Sequence, residues 1–180
     1  MIRLITGGSA SGKSEYAEQQ ALSWGPARRI YIATMIPGDD ETRARIARHR
    51  RMRADKKFET VECFTGLDRL EFPGGTKAEE TVLLLECMSN LTANEQYLSG
   101  GSIEEIRKRI GDGIRNLQKL SRRIIIVTNE IFSDGGGYAR ETEEYLRLLG
   151  LVNQDLAELS EEVTEVVYGI PVPVKHFRFL

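Results

Sequence analysis

Two groups of residues in this chain have the types and spacing for chemistry. The first is Gly7-Gly8-Ser9-Ala10-Ser11-Gly12-Lys13-Ser14, which fits the phosphate-binding loop template G-x-x-x-x-G-K-[ST]. Its fixed glycines, Gly7 and Gly12, let the chain curl so that successive backbone N–H groups point inward at phosphate oxygens. Lys13 reaches the β- and γ-phosphates as a mobile point charge. Ser14 supplies a hydroxyl suited to Mg²⁺, and the helix it opens favours anions at its N-terminus. The second group centres on His49, with Arg43, Arg45, Arg48, Arg50, Arg51, Arg53, Lys56 and Lys57 crowded around it. Such arginines neutralise a triphosphate or pyrophosphate, and like-charge repulsion keeps the imidazole neutral. A neutral imidazole beside bound phosphates is a competent nucleophile, and its attack on an α-phosphate gives a phosphoramidate. A solvated basic helix without a chemical role is the competing reading of the same run.

A triphosphate enzyme also needs an acid near Ser14, usually at the end of a neighbouring strand. Glu86 follows Val82-Leu83-Leu84-Leu85, and Glu130 follows shortly after Ile124-Ile125-Ile126-Val127. Either suits a metal, either suits a solvated strand end, and Glu86 suits a ribose or base edge as well. Sequence alone leaves that choice open.

These residues need elements to position them. An apolar strand over 2–5 runs straight into the glycine loop, and 15–22 reads as the helix behind it, stopped by Trp24-Gly25-Pro26. A second strand over 29–33 places Ala33, Thr34 and Met35 at the sheet edge where open α/β sheets hold ligands. The basic run is a helix over 41–53, with Asp39 or Asp40 as its N-cap. A strand over 58–64 and a short helix within 66–72 precede a buried strand over 81–86. Helices follow over 88–98 and 102–120, the latter opened by the capping box Ser102-Ile103-Glu104-Glu105. The apolar strand over 123–128 is central. The loop Ser133-Asp134-Gly135-Gly136-Gly137 is a candidate substrate-facing loop. A helix over 141–160 and a last strand over 165–168 end the fold, with Gly169-Ile170-Pro171-Val172-Pro173 leading into a tail.

Short apolar strands alternating with helices imply parallel βαβ units. The expected architecture is α/β, a P-loop NTPase-like three-layer sandwich with a mainly parallel central sheet, in one domain over 1–180. A formal net charge of −2 over 180 residues sets up no global field toward nucleic acid or anionic membrane. No apolar run approaches the ~20 residues of a membrane span. The strand begins within two residues of Met1, leaving no room for a leader, so a cytoplasmic protein is expected. Cys63 and Cys87 read as two small buried side chains rather than a disulfide or zinc site.

On a wider set of residues the chain resembles the bifunctional adenosylcobinamide kinase / adenosylcobinamide-phosphate guanylyltransferase family of cobalamin biosynthesis. The resemblance rests on Thr6-Gly7-Gly8-x-x-Ser11-Gly12-Lys13-Ser14, Tyr31-Ile32-Ala33-Thr34 and Arg45-Ile46-x-x-His49-x-x-x-Arg53. It continues through Thr60-x-Glu62, Leu84-Leu85-Glu86-Cys87, Val127-Thr128-Asn129-Glu130, Gly150-x-x-Asn153-Gln154-x-Leu156-Ala157, and Gly169-Ile170-Pro171 with Lys175. It implies two reactions. A nucleoside triphosphate, ATP or GTP, phosphorylates the aminopropanol hydroxyl of adenosylcobinamide. GTP then transfers GMP to that phosphate, through a guanylylated histidine that corresponds to His49. It also implies nucleotide contacts at Arg50, Arg51, Met52, Arg53, Glu62 and Glu86, dependence on Mg²⁺, and a homotrimer.

The chain departs from the family pattern in three places. Arg48-His49 stands where some relatives carry two histidines. Ala54-Asp55-Lys56-Lys57-Phe58 replaces a Pro- and Trp-containing stretch, and the loop over 132–138 is less apolar. Two other readings compete: a single-activity P-loop small-molecule kinase with the arginine helix as a lid, and a nucleotide-dependent module that grips nucleic acid. Overall acidity and the lack of aromatics between the arginines argue against the second.

Overall fold

The computed structural model describes residues 1–25, 27–132 and 138–176, with the side chains of Arg45, His49, Met52, Arg53 and Ala54 left aside. Pro26 of the expected helix stop and the glycine loop over 133–137 lie outside the described residues.

Seven strands form one sheet: β1 (Ile2–Thr6), β2 (Arg28–Ala33), β3 (Phe58–Glu62), β4 (Thr81–Glu86), β5 (Arg123–Val127), β6 (Glu162–Val167) and β7 (Ile170–Lys175), in the order β3-β2-β4-β5-β1-β6-β7. All neighbours are parallel except β6 and β7. Helix α1 (Lys13–Ser23) covers one face through Ala17 and Ala21. Helices α3 (Met88–Asn94), α4 (Ile103–Leu120) and α5 (Arg140–Leu159) cover the other. This is the expected three-layer sandwich.

Both faces being covered explains why the inner strands read as unbroken apolar runs. Successive side chains point to opposite faces. Leu83 and Leu85, Ile124 and Ile126, and Ile30 and Ile32 therefore pack toward α3, α4 and α5. Val82 and Leu84, Ile125 and Val127, and Tyr31 pack toward α1. The β5 strand lies at the centre of the order, as its sequence predicts.

Helix α2 (Asp40–Arg53) differs from the others. It contributes no residue to either buried cluster among the described side chains. Polar ties hold it instead. Asp39 Oδ1 accepts from Thr42 N at 2.8 Å, which selects Asp39 of the two expected caps. Arg50 pairs with Glu62 of β3 at 3.1 Å, and beyond the helix Lys56 pairs with Glu18 of α1, whose side chain is 2% exposed.

At α4 the expected capping box is present: Ser102 Oγ accepts from Glu105 N, and Glu105 Oε2 accepts from Ser102 N. Two expectations need correction. The short helix within 66–72 is a single 3₁₀ turn, Leu67–Arg69. The segment read as the start of a tail is strand β7, joined to β6 through Tyr168-Gly169, and β6 itself starts at Glu162. Pro171 and Pro173 disguise β7, because proline lacks the ladder N–H. On an edge strand, with the remaining side facing water, that loss is tolerated.

Candidate active site

The parallel strands end together, and their register sets the site. Glu62, Ala33, Glu86, Val127 and Ile5 lie abreast across β3, β2, β4, β5 and β1. Paired residues in neighbouring strands project to the same face. Glu62 and Glu86 therefore point to the side on which α1 begins.

The loop from β1 into α1 wraps beside this row. Gly7 and Gly12 have φ of +154° and +92°, and both have close neighbours. A Cβ on Gly7 would stand 2.6 Å from the Val166 carbonyl oxygen, and one on Gly12 would stand 3.3 Å from Gly169 Cα. Gly7 is thus required by contact as well as by conformation, and Gly12 chiefly by conformation. Lys13, 9% exposed, donates from Nζ to the Gly8 carbonyl at 2.8 Å. Ser11 Oγ is buried inside the curl without a hydrogen-bond partner among the described residues. A buried hydroxyl left unpaired is costly, and here it suits a phosphate oxygen.

Ser14 Oγ donates to Glu86 Oε1, and Tyr31 Oη donates to Glu86 Oε2 at 3.2 Å. Of the two candidate acids, Glu86 is therefore the one in contact with the loop serine. Glu130 supports the loop from behind: its N–H donates to the Gly7 carbonyl at 3.1 Å, and its Oε1 accepts from Phe132 N at 2.9 Å. No group of three or more His, Cys, Asp or Glu among the described residues forms a metal cage. A hydroxyl and one carboxylate are hard oxygen donors, the set with which Mg²⁺ is held when phosphates and water supply its remaining ligands. The residues present fit that ion.

The cleft is lined on this side by Lys13, Ser14, Tyr31, Ala33, Thr60 and Glu86, and on the α2 side by Met35, Ile46, Arg50 and Glu62. Asn90 of α3 and Asn129 after β5 complete the lining. Ala33 and Met35 are thus where the sequence predicts. Thr34 is fully buried between them; its hydroxyl donates to the Cys87 carbonyl and accepts from Cys87 N, each at 2.8 Å. Period two explains this, since Thr34 follows Ala33 and so turns to the opposite face. Arg51 is exposed and does not line the cleft. His49 immediately precedes Arg50 in α2; its side chain, with those of Met52 and Arg53, is outside the described set.

Tyr31, Thr60, Asn90 and Asn129 were not singled out as site residues by sequence. Tyr31 and Thr60 are paired across β2 and β3, two residues before Ala33 and Glu62. Period two puts them on the same face as Ala33 and Glu62, and α1 decides that this face is the one the cleft uses. Asn129 donates to Ser89 Oγ at 2.6 Å, Ser89 Oγ lies 3.0 Å from Cys87 Sγ, and Tyr145 Oη donates to the Ser89 carbonyl at 3.0 Å. Burial pushes the Tyr145 phenol up to about 12, with smaller contributions from Cys87 and Tyr97, so it stays a donor. Both cysteines are free and buried, as expected.

The glycine loop, the Ser14–Glu86 contact and the parallel sheet ending beside them define a P-loop nucleotide-binding fold. The flagellar accessory protein FlaH from Methanocaldococcus jannaschii shares the architecture, with a TM-score of 0.52 at 12% identity over 97% of this chain and 78% of that one. Residues 3–174 match the model of the cobinamide kinase / cobinamide phosphate guanyltransferase family, and the chain belongs to that family. It is 34% identical over 186 residues to the bifunctional adenosylcobalamin biosynthesis protein CobU of Escherichia coli, covering 97% of this chain and 100% of the relative. To the CobP protein of the same description in Pseudomonas aeruginosa it is 33% identical over 178 residues, covering 97% and 98%. No helix among the described residues is long and apolar enough to cross a membrane.

Proposed function

We propose that this protein phosphorylates the aminopropanol hydroxyl of adenosylcobinamide and then transfers GMP from GTP to the new phosphate, giving adenosylcobinamide-GDP and pyrophosphate. The observation that carries this reading is the cleft between the phosphate loop and α2. One wall holds Lys13, Ser14 and Glu86, and the other holds Arg50 on the helix of His49.

In the first reaction the loop amides and Lys13 hold the β- and γ-phosphates of ATP or GTP while the acceptor hydroxyl attacks the γ-phosphorus. The new P–O bond forms as the bond to the β-phosphate oxygen breaks, the nucleoside diphosphate leaves and the hydroxyl proton passes to solvent. Ser14 and Glu86 would hold Mg²⁺, which when bound neutralises charge developing on the phosphate oxygens. Tyr31 orients the Glu86 carboxylate by donating to its second oxygen. In the second reaction His49 attacks the α-phosphorus of GTP, forming a P–N bond as the P–O bond to pyrophosphate breaks. The acceptor phosphate then displaces the imidazole. Arg50 and Arg53 counter the phosphate charge, and Met52 and Glu62 contact the nucleotide, while Arg51 stays outside the cleft. Both reactions take place in the cytoplasm, in a homotrimer.

The test uses GTP labelled at the α-phosphorus. Wild type should retain an acid-labile, base-stable label that passes to adenosylcobinamide phosphate, and His49→Ala should retain none. Equal labelling of the two proteins rules out the histidine route. Transfer of the γ-phosphoryl group with no GMP transfer under any condition leaves a single-activity kinase instead.

A further inference from the structure

A second groove lies beside the nucleotide cleft, lined by Met35, Ile36, Glu41, Thr42, Asn90 and Asn94. Met35 and Asn90 line both, so the two spaces share a wall. Helix α2 borders both as well. Its first turn gives Glu41 and Thr42 to the groove, and its later turns give Ile46 and Arg50 to the cleft.

The chemistry of the groove is unlike that of the cleft. Its described lining holds a carboxylate and no Lys or Arg. The nearby Arg43 is occupied with the Gly38 carbonyl and with Asp40 Oδ1. Phosphates are held by cationic side chains and clustered N–H donors, so this lining does not suit a second nucleotide. What it offers is a mainly polar lining of amides, a hydroxyl and a carboxylate around a small apolar patch. Ile36 is 38% exposed, a branched apolar side chain left at the surface next to the thioether of Met35. Asn94 commits both amide hydrogens, to the Thr34 and Phe64 carbonyls at 2.9 Å each, which leaves Oδ1 free to accept. The side-chain amide of Asn90 forms no hydrogen bond with another described residue, and Thr42 adds a hydroxyl.

We infer that this groove seats the corrin ring of the acceptor, on the proposed reading that the acceptor is a cobinamide. A corrin is a broad apolar ring rimmed with primary amides, and its cobalt(III) alkyl form carries positive charge. Met35 and Ile36 meet the ring methyls, Asn90 and the Asn94 oxygen meet the amides, and Glu41 faces the charge. The aminopropanol arm passes between Met35 and Asn90 to the phosphates at Lys13. One acceptor seat therefore serves both reactions, and the nucleotide alone is exchanged between them.

The test compares wild type with Ile36→Asp and Thr42→Trp, both at positions outside the nucleotide cleft. Initial rates are measured against adenosylcobinamide and GTP separately, alongside self-labelling by GTP without corrinoid. Each variant should raise the KM for adenosylcobinamide about tenfold or more, with the KM for GTP and the self-labelling within about twofold of wild type. An unchanged corrinoid KM in both variants overturns the groove assignment, as does a loss confined to GTP. A wild type that binds and labels with GTP yet transfers nothing to adenosylcobinamide overturns the functional reading itself.

Discussion

At the scale of single residues, Glu86 concentrates the most chemistry. It is 9% exposed and accepts from Ser14 on one oxygen and Tyr31 on the other. A buried carboxylate is stable only when its lone pairs are met, and these two hydroxyls meet them at the point where the phosphate loop becomes helix. Glu86→Gln keeps the shape and removes the charge. It should lower kcat/KM for phosphoryl transfer by about 10², or roughly 2.7 kcal/mol. The Mg²⁺ concentration needed for half-maximal rate should rise with it. A Mg²⁺ titration of the purified variant checks this, and an unchanged midpoint would mean that Glu86 serves the nucleotide rather than the ion. The corresponding Glu130 variant should leave that midpoint in place, because its carboxylate serves Phe132 N.

At the scale of elements, α4 shows how packing overrides local preference. Gly111 and Gly113 lie inside this helix, where glycine is about 1 kcal/mol poorer than alanine. Gly113 is nevertheless needed: a Cβ there would stand 2.7 Å from Leu67 Cβ. The 3₁₀ turn Leu67–Arg69 is pressed onto the helix and held by Asn116, whose amide donates to the Leu67 and Leu70 carbonyls at 3.1 and 2.9 Å. Gly113→Ala should therefore destabilise the protein by about 1–3 kcal/mol, although it improves helix propensity. Gly111→Ala, whose nearest neighbour is the Arg115 guanidinium at 3.6 Å, should stabilise or be neutral. Urea unfolding of the two variants side by side separates the effects. The sequence marks both glycines alike; only the approach of a turn some 45 positions earlier distinguishes them.

At the scale of the whole molecule, the β6–β7 hairpin and the phosphate loop form one unit across the length of the chain. Gly169 N donates to the Ser11 carbonyl at 2.8 Å, Gly169 Cα packs against Gly12, and the Val166 carbonyl bounds Gly7. Gly169 has a φ of +79°, a conformation that costs a side chain about 1–2 kcal/mol. Gly169→Val should thus reduce stability by about that much and, through the loop, raise the KM for GTP severalfold. Titration of GTP binding to the folded variant checks the second effect. Unchanged affinity would show that the loop holds its shape without the hairpin.

Much of this was legible in the amino-acid order itself, because local rules carry it. The glycine spacing of 7–14, the apolar runs of β1, β4 and β5, and the Ser102–Glu105 box each depend on residues a few positions apart, and each stands where expected. So does the alternation that makes the sheet parallel. Three matters were decided only by tertiary structure. The contact of Ser14 with Glu86 rather than Glu130 depends on strand order, which places β4 and β5 without regard to their nearness in sequence. The turning of Tyr31 and Thr60 into the cleft, and of Thr34 away from it, depends on which sheet face α1 covers. The strand identity of 170–175 depends on β6 offering its edge to a segment whose prolines argue against any strand. Local chemistry is written in short spacings, but which distant carboxylate meets a given hydroxyl is set by how the layers stack.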